Sequence, residues 1–336
     1  MQKTIKTLLL LIMVLLGLSA CGEATQEDVV KKVSNKWADT KGYELDAEMT
    51  IQTGGEPRVF DVNVWHTKPD YYRVKVTQNG EDVSQMIVRN KDGVFVVTPA
   101  LKKTYKFQSD WPKQNSQAYL IGALAEDLLA DKKLTMREEE NAFVFEAATR
   151  NNQKNVMPYQ TITVDKKTML PTEVSVLNEA KEKQIHISFK SIKLNVKHDA
   201  KEYAVEQFKE TDEGEEKAGA DIDDKTFQVH YPVLKWEGST QKDEKVVKEG
   251  GVERVILTYE GEKAFTLMQQ PAQVEKTVVP VFAAGDPADL GVTIGAITDN
   301  SLSWEKDGVA FFIASSKLTR GEMMEVAASM QAGGTK

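Results

Sequence analysis

Two hydrophobic periods alternate along this chain. Residues 26–40 place four apolar side chains at helical spacing behind Thr25, a candidate N-cap, and this pattern predicts an amphipathic helix. The period then changes to two, because residues 43–51 alternate apolar and polar side chains, and the same alternation recurs at 60–64 and 72–76. Such alternation is typical of strands with one buried face and one solvated face.

A second helix is predicted within residues 111–131, where apolar side chains form one stripe behind Asn115 or Ser116 as the cap. Strand patterns flank this helix at residues 94–97, 105–107, 142–147, 161–164, 172–177 and 184–194. The first half therefore predicts about ten antiparallel strands and two helices. Because the connections are too short for parallel crossovers, we expect a barrel, a half-barrel or a highly curved sheet.

An acidic segment follows these strands. Residues 206–224 contain nine acidic side chains and two lysines with little hydrophobic content, which predicts a solvated linker or surface arm. A calcium site at Asp221, Asp223 and Asp224 is the alternative, but these residues do not have the spacing of an EF-hand loop.

The second half begins near Thr226 and predicts a small sheet with a C-terminal helix. Residues 252–259 and 263–268 form a hairpin pattern, and Thr319 with Glu322 has the spacing of a capping box. Further strands are indicated at residues 227–231, 273–282, 292–297, 302–305 and 309–314. The predicted organisation is a signal peptide at 1–20, a first domain at 21–198, an acidic linker at 199–225 and a small α+β domain at 226–336.

The N-terminus has the pattern of a secretory leader. Lys3 and Lys6 precede an apolar run at residues 8–18, which is shorter than the roughly 20 residues that a membrane-spanning helix needs. Residues 18–22, Leu-Ser-Ala-Cys-Gly, resemble the bacterial lipobox. That resemblance implies cleavage before Cys21, a diacylglycerol on its thiol and usually an acylated amino group. The alternative is an ordinary signal peptide that leaves Cys21 as a free thiol.

A doubly acylated Cys21 would hold the protein stably on a membrane, whereas one acyl chain does so only marginally. The expected location is the extracytoplasmic face of the cell membrane. If the source has two membranes, the absence of Asp after Cys21 favours the outer membrane by the same resemblance.

Composition and motifs narrow the function classes. The 336 residues carry 51 acidic and 43 basic side chains, and this net charge of −8 argues against a general nucleic-acid binder. A single cysteine excludes a disulfide framework. The four histidines, His66, His186, His198 and His230, lack metal-ligand spacing, and the sequence has neither a Gly-x-Ser-x-Gly elbow nor a glycine-rich phosphate loop. We therefore predict no enzyme activity, no metal and no cofactor.

The apolar faces of the first three strands are the candidate ligand site. A curved sheet capped by amphipathic helices can enclose an apolar cavity that holds acyl chains. The alternative is that the same side chains pack on the helices as an ordinary filled core. The candidates are Leu45, Ala47, Met49, Ile51, Phe60, Val62, Val64, Tyr72, Val74 and Val76.

Two motifs resemble the Lol-type lipoprotein carriers. Residues 66–74 read His-Thr-Lys-Pro-Asp-Tyr-Tyr-Arg-Val, and residues 90–103 combine Asp-Gly, an aromatic strand and a proline. The chain is more similar still to LolA-like lipoproteins of endospore-forming bacteria, in which Trp-Pro and Tyr-Leu follow, as at residues 111–112 and 119–120 here. The resemblance covers about residues 25–195, and the second half is similar to a small domain found after such modules.

This resemblance implies a mainly β (α+β) fold, namely an unclosed antiparallel β-barrel with a helical lid and a smaller C-terminal domain. It implies acyl-chain binding without catalysis, and it makes Arg73 a candidate lid or head-group contact; a surface ion pair is the alternative. The anchor and the second domain differ from soluble carriers. They favour a tethered acceptor, a local lipid-binding module or a sensor with a membrane partner.

The leading hypothesis is a membrane-anchored lipoprotein that binds a lipid or the acyl chain of an acylated protein. The alternative hypothesis is a non-enzymatic envelope or sporulation-related interaction or sensor protein with a filled core and an envelope protein as its partner.

Overall fold

The computed structural model describes 11 segments of the chain, and the predicted leader with Cys21 lies outside them. Also outside them are the proposed helix caps Asn115 and Ser116 and the calcium candidates Asp221, Asp223 and Asp224. The described residues are 25–52, 57–79, 84–109, 111, 117–150, 157–208, 228–233, 237–249, 251–273, 280–290 and 293–332.

Three α-helices are present in these segments, α1 (Gln26–Ala38), α2 (Ile121–Ala130) and α3 (Arg320–Ala328). Thr25 accepts a hydrogen bond from the backbone N–H of Asp28 at 3.2 Å, which confirms the predicted N-cap of α1. The capping box that begins α3 is also confirmed. Both caps are local contacts, so a sequence pattern suffices to predict them.

The first unit, residues 25–208, is built on a large antiparallel sheet. Its strands lie in the order β6-β5-β4-β3-β2-β1-β11-β10-β9-β8-β7, so the sheet has two separate edges and does not close into a barrel. The strands are β1 (Gly42–Ile51), β2 (Arg58–Thr67), β3 (Tyr71–Gln78), β4 (Ser84–Asn90), β5 (Gly93–Thr98), β6 (Lys103–Phe107), β7 (Thr135–Glu138), β8 (Ala142–Ala148), β9 (Tyr159–Asp165), β10 (Pro171–Leu177) and β11 (Lys183–Leu194).

The second unit, residues 228–332, contains a seven-stranded antiparallel sheet, a two-stranded sheet and helix α3. The seven strands lie in the order β13-β14-β15-β20-β19-β18-β17, and β12 pairs with β21. The strands are β12 (His230–Pro232), β13 (Thr240–Glu249), β14 (Val252–Glu260), β15 (Phe265–Pro271), β16 (Val281–Phe282), β17 (Asp286–Asp289), β18 (Ile294–Ile297), β19 (Ser301–Lys306), β20 (Val309–Ala314) and β21 (Met330–Ala332).

One strand of the second half joins the first sheet. β16 runs parallel to β6, with Val281 opposite Tyr105, and becomes the twelfth strand of that sheet. The two halves of the chain are therefore joined by backbone hydrogen bonds, although the sequence pattern assigned β16 to a separate domain.

The large sheet has apolar side chains on both of its faces. We call the face that carries Leu45, Val64 and Val74 the inner face; it packs on α1 and α2. The opposite, outer face carries a smaller cluster that includes Val88 and Phe95. The fold class predicted from the sequence is confirmed, because the protein is mostly β, with an unclosed sheet, a few helices and a smaller C-terminal sheet.

The start of the predicted acidic linker differs from the expectation of a solvated arm. Residues 199–208, the outer strap, form two short 3-10 helices that lie on the outer face. Tyr203 is 0% exposed, and Val205 and Phe208 are also buried in the outer cluster. The packed first unit therefore continues at least to Phe208, because these three apolar side chains cover part of the outer face of the sheet.

Candidate functional site

The inner face brings together ten of the candidate side chains predicted from the sequence. In the register of β1 and β2, Leu45 lies opposite Val64 and Met49 lies opposite Phe60. β3 continues the face, because Val74 lies opposite Val64. Eight of the ten are buried and Tyr72 and Val76 are partly buried against the same cluster. The alternation in the sequence thus identified one continuous apolar surface across three strands.

Helices α1 and α2 cover this surface. Val33 and Trp37 of α1 and Leu124 and Leu128 of α2 belong to the same buried cluster as the strand side chains. The indole Nε1 of Trp37 donates to the backbone oxygen of Met169 at 2.8 Å, which fixes the C-terminal end of α1 to the connection between β9 and β10. The helices and the candidate residues thus share one continuous apolar core in the described part of the chain.

Arg73 does not join the inner-face set. Adjacent residues of a strand point to opposite faces, so Arg73 lies on the outer face between Tyr72 and Val74. Its guanidinium carbon stands 3.7 Å from the ring centroid of Trp65, and its Nη2 donates to Asn63 at 2.6 Å. Partial burial lowers the pKa of the guanidinium. The structure therefore gives Arg73 a packing role on the outer face, next to the outer strap.

One end of the inner face carries aromatic and polar groups instead of aliphatic ones. We call Tyr43, His66, Tyr72 and Trp111 the ring cluster. Neighbouring ring centroids are 5.1 Å apart for Tyr43 and His66, 4.2 Å for His66 and Tyr72, and 5.7 Å for Tyr72 and Trp111. Burial is the main cause that raises the pKa of Tyr43 and Tyr72 and lowers that of His66, so all three side chains are neutral near pH 7.

Only Tyr72 of the ring cluster was among the predicted site residues. The alternation in the sequence could also have identified Tyr43 and His66. Tyr43 continues the apolar positions of β1 before Leu45, and His66 continues those of β2 after Val64. Trp111 lies outside any strand, and its placement depends on contacts with distant parts of the chain.

The opposite end of the inner face contacts the second unit. The backbone N–H of Ile294 donates to Gln85 Oε1 at 2.8 Å, Lys103 forms an ion pair with Glu305, and Arg58 Nη2 lies 3.0 Å from Asp307 Oδ1. The side chains of Ala283, Ile294 and Ala296 pack against the inner cluster. The second unit thus covers the end of the inner face that lies away from the ring cluster.

The outer face of β7 to β11 has a different character. It holds an open pocket of about 440 Å³ whose lining combines basic, acidic and hydroxyl side chains, including Arg137, Glu146, Thr161, Glu173 and Lys183. Charges of both signs and few apolar groups line this surface, so it does not resemble a site for an acyl chain.

The described residues contain no group of three or more His, Cys, Asp or Glu side chains placed to hold a metal ion. Of the helices in the described segments, none is long and apolar enough to cross a membrane.

Comparison with known proteins identifies the family. Residues 1–203 match the family model described as "Sporulation protein YdcC-like". Sporulation protein YdcC of Bacillus subtilis (strain 168) is 38% identical over 339 residues, which cover 100% of both chains. The chain belongs to the YdcC-like sporulation protein family. The resemblance to lipoproteins of endospore-forming bacteria is confirmed at the level of this YdcC-like family.

Solved structures related to this YdcC-like chain are distant. MucB, solved in complex with MucA of Pseudomonas aeruginosa, has 15% identity and a TM-score of 0.34, with 92% of this chain and 99% of that chain covered. A putative outer membrane lipoprotein-sorting protein domain from Vibrio parahaemolyticus has 11% identity and a TM-score of 0.34, with coverages of 55% and 100%. The LolA superfamily protein NE2245 from Nitrosomonas europaea has 9% identity and a TM-score of 0.31, with coverages of 54% and 97%.

Proposed function

We propose that this protein is an extracytoplasmic lipoprotein, anchored through acylated Cys21, whose inner face binds the acyl chain of a lipid or of an acylated protein. The observation that carries the proposal is the continuous apolar surface across β1, β2 and β3, which lies between an unclosed sheet and two amphipathic helices. An apolar surface of this kind can bind hydrocarbon because burial removes the chain from water.

The tight cover of this surface favours a second candidate function. Eight of the ten candidates are buried, in the same apolar cluster as α1 and α2. If the inner face is a filled core, the protein acts as an envelope interaction or sensor protein with a protein partner. The name of the Bacillus subtilis relative supports a role in sporulation for either function.

A substitution at Ala47 distinguishes the two candidate functions, because Ala47 has a small side chain in the middle of the inner face and is 1% exposed. In a filled core, Ala47→Leu overpacks the interior and lowers the free energy of unfolding by about 1–3 kcal/mol. On an acyl-binding face, the added methyl groups occupy ligand space, so stability changes little and the affinity for 1-palmitoylglycerol falls.

Urea unfolding and native mass spectrometry of the delipidated chain measure both quantities. Thr50→Val, on the outer face of the same strand, is the matched control. Failure of the unaltered protein to retain or recapture any acyl species would contradict the acyl-binding function.

The anchor is tested at Cys21, which lies within the segment that the family model matches. Cys21→Ser is expected to give a soluble protein or an uncleaved precursor, because the thiol that accepts diacylglycerol is gone. Membrane fractionation and the mass of the mature N-terminus report the result. A processed variant that still partitions with membranes would rule out this anchor.

A further inference from the structure

The ring cluster contains hydrogen-bond donors that have no visible use in the fold. Tyr43 is 2% exposed and Trp111 is 1% exposed. The hydroxyl of Tyr43 and the indole Nε1 of Trp111 have no hydrogen-bond partner among the described residues. A buried donor without a partner costs free energy, and native structures contain few of them. Two such donors at the two ends of one row of neighbouring rings point to a missing acceptor.

Two nearby polar side chains already have partners. His66 Nδ1 donates to the backbone oxygen of Tyr71 at 3.0 Å. Arg89 donates to the backbone oxygen of Trp111 and pairs with Asp70 at 3.7 Å. The two buried donors of the cluster without a partner are a phenol and an indole, both neutral. Neutral donors suit a neutral acceptor such as a carbonyl oxygen, because an anion buried here would lack a dedicated countercharge.

The cluster also has a direction relative to the apolar surface. Tyr43 begins the inner-face row of β1, which continues through Leu45, Ala47 and Met49. Polar donors at one end and an aliphatic row leading away from them match an amphipathic molecule with a polar head and a hydrocarbon chain. The second unit covers the far end of the row, and the unpartnered donors of Tyr43 and Trp111 lie at the opposite end.

We propose that the ring cluster is the head-group site of the inner face and that the Tyr43 hydroxyl and the Trp111 indole each donate a hydrogen bond to an ester or amide carbonyl oxygen next to an acyl chain. This inference rests on the acyl-binding function proposed above and names its ligand class more closely. A neutral acyl ester, from a glyceride or from the acylated cysteine of a lipoprotein, binds here in preference to a free fatty-acid carboxylate.

The test compares three probes that share a sixteen-carbon chain and differ at the head. 1-Palmitoylglycerol carries the ester carbonyl, 1-O-hexadecylglycerol replaces it with an ether, and palmitate carries a charged carboxylate. Dissociation constants are measured on the delipidated full chain, on Tyr43→Phe and Trp111→Phe, and on Tyr71→Phe. Tyr71 lies on the outer face of the strand that carries Tyr72, so Tyr71→Phe is the matched control.

The unaltered protein is expected to bind the ester more tightly than the ether or palmitate. Removal of the donor that the single ester carbonyl contacts, by Tyr43→Phe or by Trp111→Phe, should weaken ester binding by about five-fold, as expected for one lost hydrogen bond, and leave ether binding unchanged. Tyr43→Phe should also keep or raise the stability of the ligand-free protein, because an unpartnered hydroxyl is removed. A structural role of Tyr43 would instead weaken all probes equally.

Equal affinity for ester and ether, or tighter binding of palmitate, overturns the head-group site while the acyl-binding function stands. Absence of binding for all three probes overturns the acyl-binding function itself. A peptide with an S-dipalmitoylglyceryl cysteine, compared with 1-palmitoylglycerol in the same assay, identifies the source of the acyl ester. Tighter binding of the peptide supports a lipoprotein as the ligand, and tighter binding of 1-palmitoylglycerol supports a glyceride. Both results support the carbonyl site.

Discussion

Arg73 shows how one position on a strand decides between two roles. The family resemblance predicted a contact with a lid or a head group, but strand alternation turns the side chain of Arg73 to the outer face. There the indole of Trp65 lies between the guanidinium of Arg73 and the imidazole of His198, whose ring centroid is 4.0 Å away. Arg73 therefore stabilises the outer face beneath the strap.

Replacement of Arg73 should change stability and leave acyl binding unchanged. Arg73→Ala removes the stacking on Trp65 and the hydrogen bond to Asn63, so we expect the free energy of unfolding to fall by about 1–2 kcal/mol. Urea unfolding measures the loss, and the affinity for 1-palmitoylglycerol serves as the second readout. Arg137→Ala, at a side chain that is 58% exposed, is the control. Loss of affinity without loss of stability would return Arg73 to the ligand site.

His66 makes stability depend on pH. Burial lowers the pKa of His66 in the folded protein, whereas in the unfolded chain it is about 6.5. As pH falls below that value, the unfolded chain binds a proton that the folded protein does not yet bind, so the free energy of unfolding decreases. Urea unfolding at pH 7.5 and 5.5 should show a smaller decrease for His66→Gln. An unchanged decrease would assign the pH dependence to other groups, such as His230, whose pKa burial also lowers.

Elements were predictable wherever burial follows the sequence period. β1 alternates buried inner positions with more exposed outer ones, and its pattern was visible in the sequence. β13 was missed, because the side chains of this charged edge strand are almost all exposed and no alternation arises. The outer strap was missed for another reason. Its three buried side chains, Tyr203, Val205 and Phe208, share no strand period and stand next to an acidic segment.

The strap is expected to stabilise the sheet it covers. Tyr203 packs in the outer cluster, and its hydroxyl lies 2.9 Å from Thr67 Oγ1. Tyr203→Ala should therefore lower the free energy of unfolding by about 3 kcal/mol, the usual cost of deleting a buried aromatic side chain. Differential scanning calorimetry and urea unfolding test this, with Lys201→Ala on the exposed side of the strap as the control. Equal stabilities of the two variants would mean that the strap is a passive arm.

At the scale of the whole molecule, the pairing of strands that are distant in the chain could not be predicted from the sequence. β16 adds to β6 across about 175 residues of chain, and no local pattern encodes which edge a two-residue strand will join. The candidate site was affected in the same way. The aliphatic row could be read from alternation, but Trp111 at one end and Ile294 at the other arrive from outside the strands that form the row.

The ion pairs between the units should govern how firmly the second unit covers the inner face. The side chains of Lys103 and Glu305 are 10% and 18% exposed, so removing one partner leaves the other partly buried and uncompensated. Lys103→Ala should weaken the contact by about 2 kcal/mol. In solution, small-angle X-ray scattering should then show a larger radius of gyration, and 1-palmitoylglycerol should exchange faster.

The reciprocal variant Lys103→Glu with Glu305→Lys keeps both charges at the contact and should restore the compact form, whereas each single reversal should loosen it. Lys242→Ala, within the exposed pair with Glu260 in the second sheet, is the control, because it removes an ion pair away from the contact between the units. If the single reversals leave both the radius of gyration and the exchange rate unchanged, the β16–β6 pairing and the packing of Ile294 hold the units together without these charges, and the cover does not limit access to the inner face.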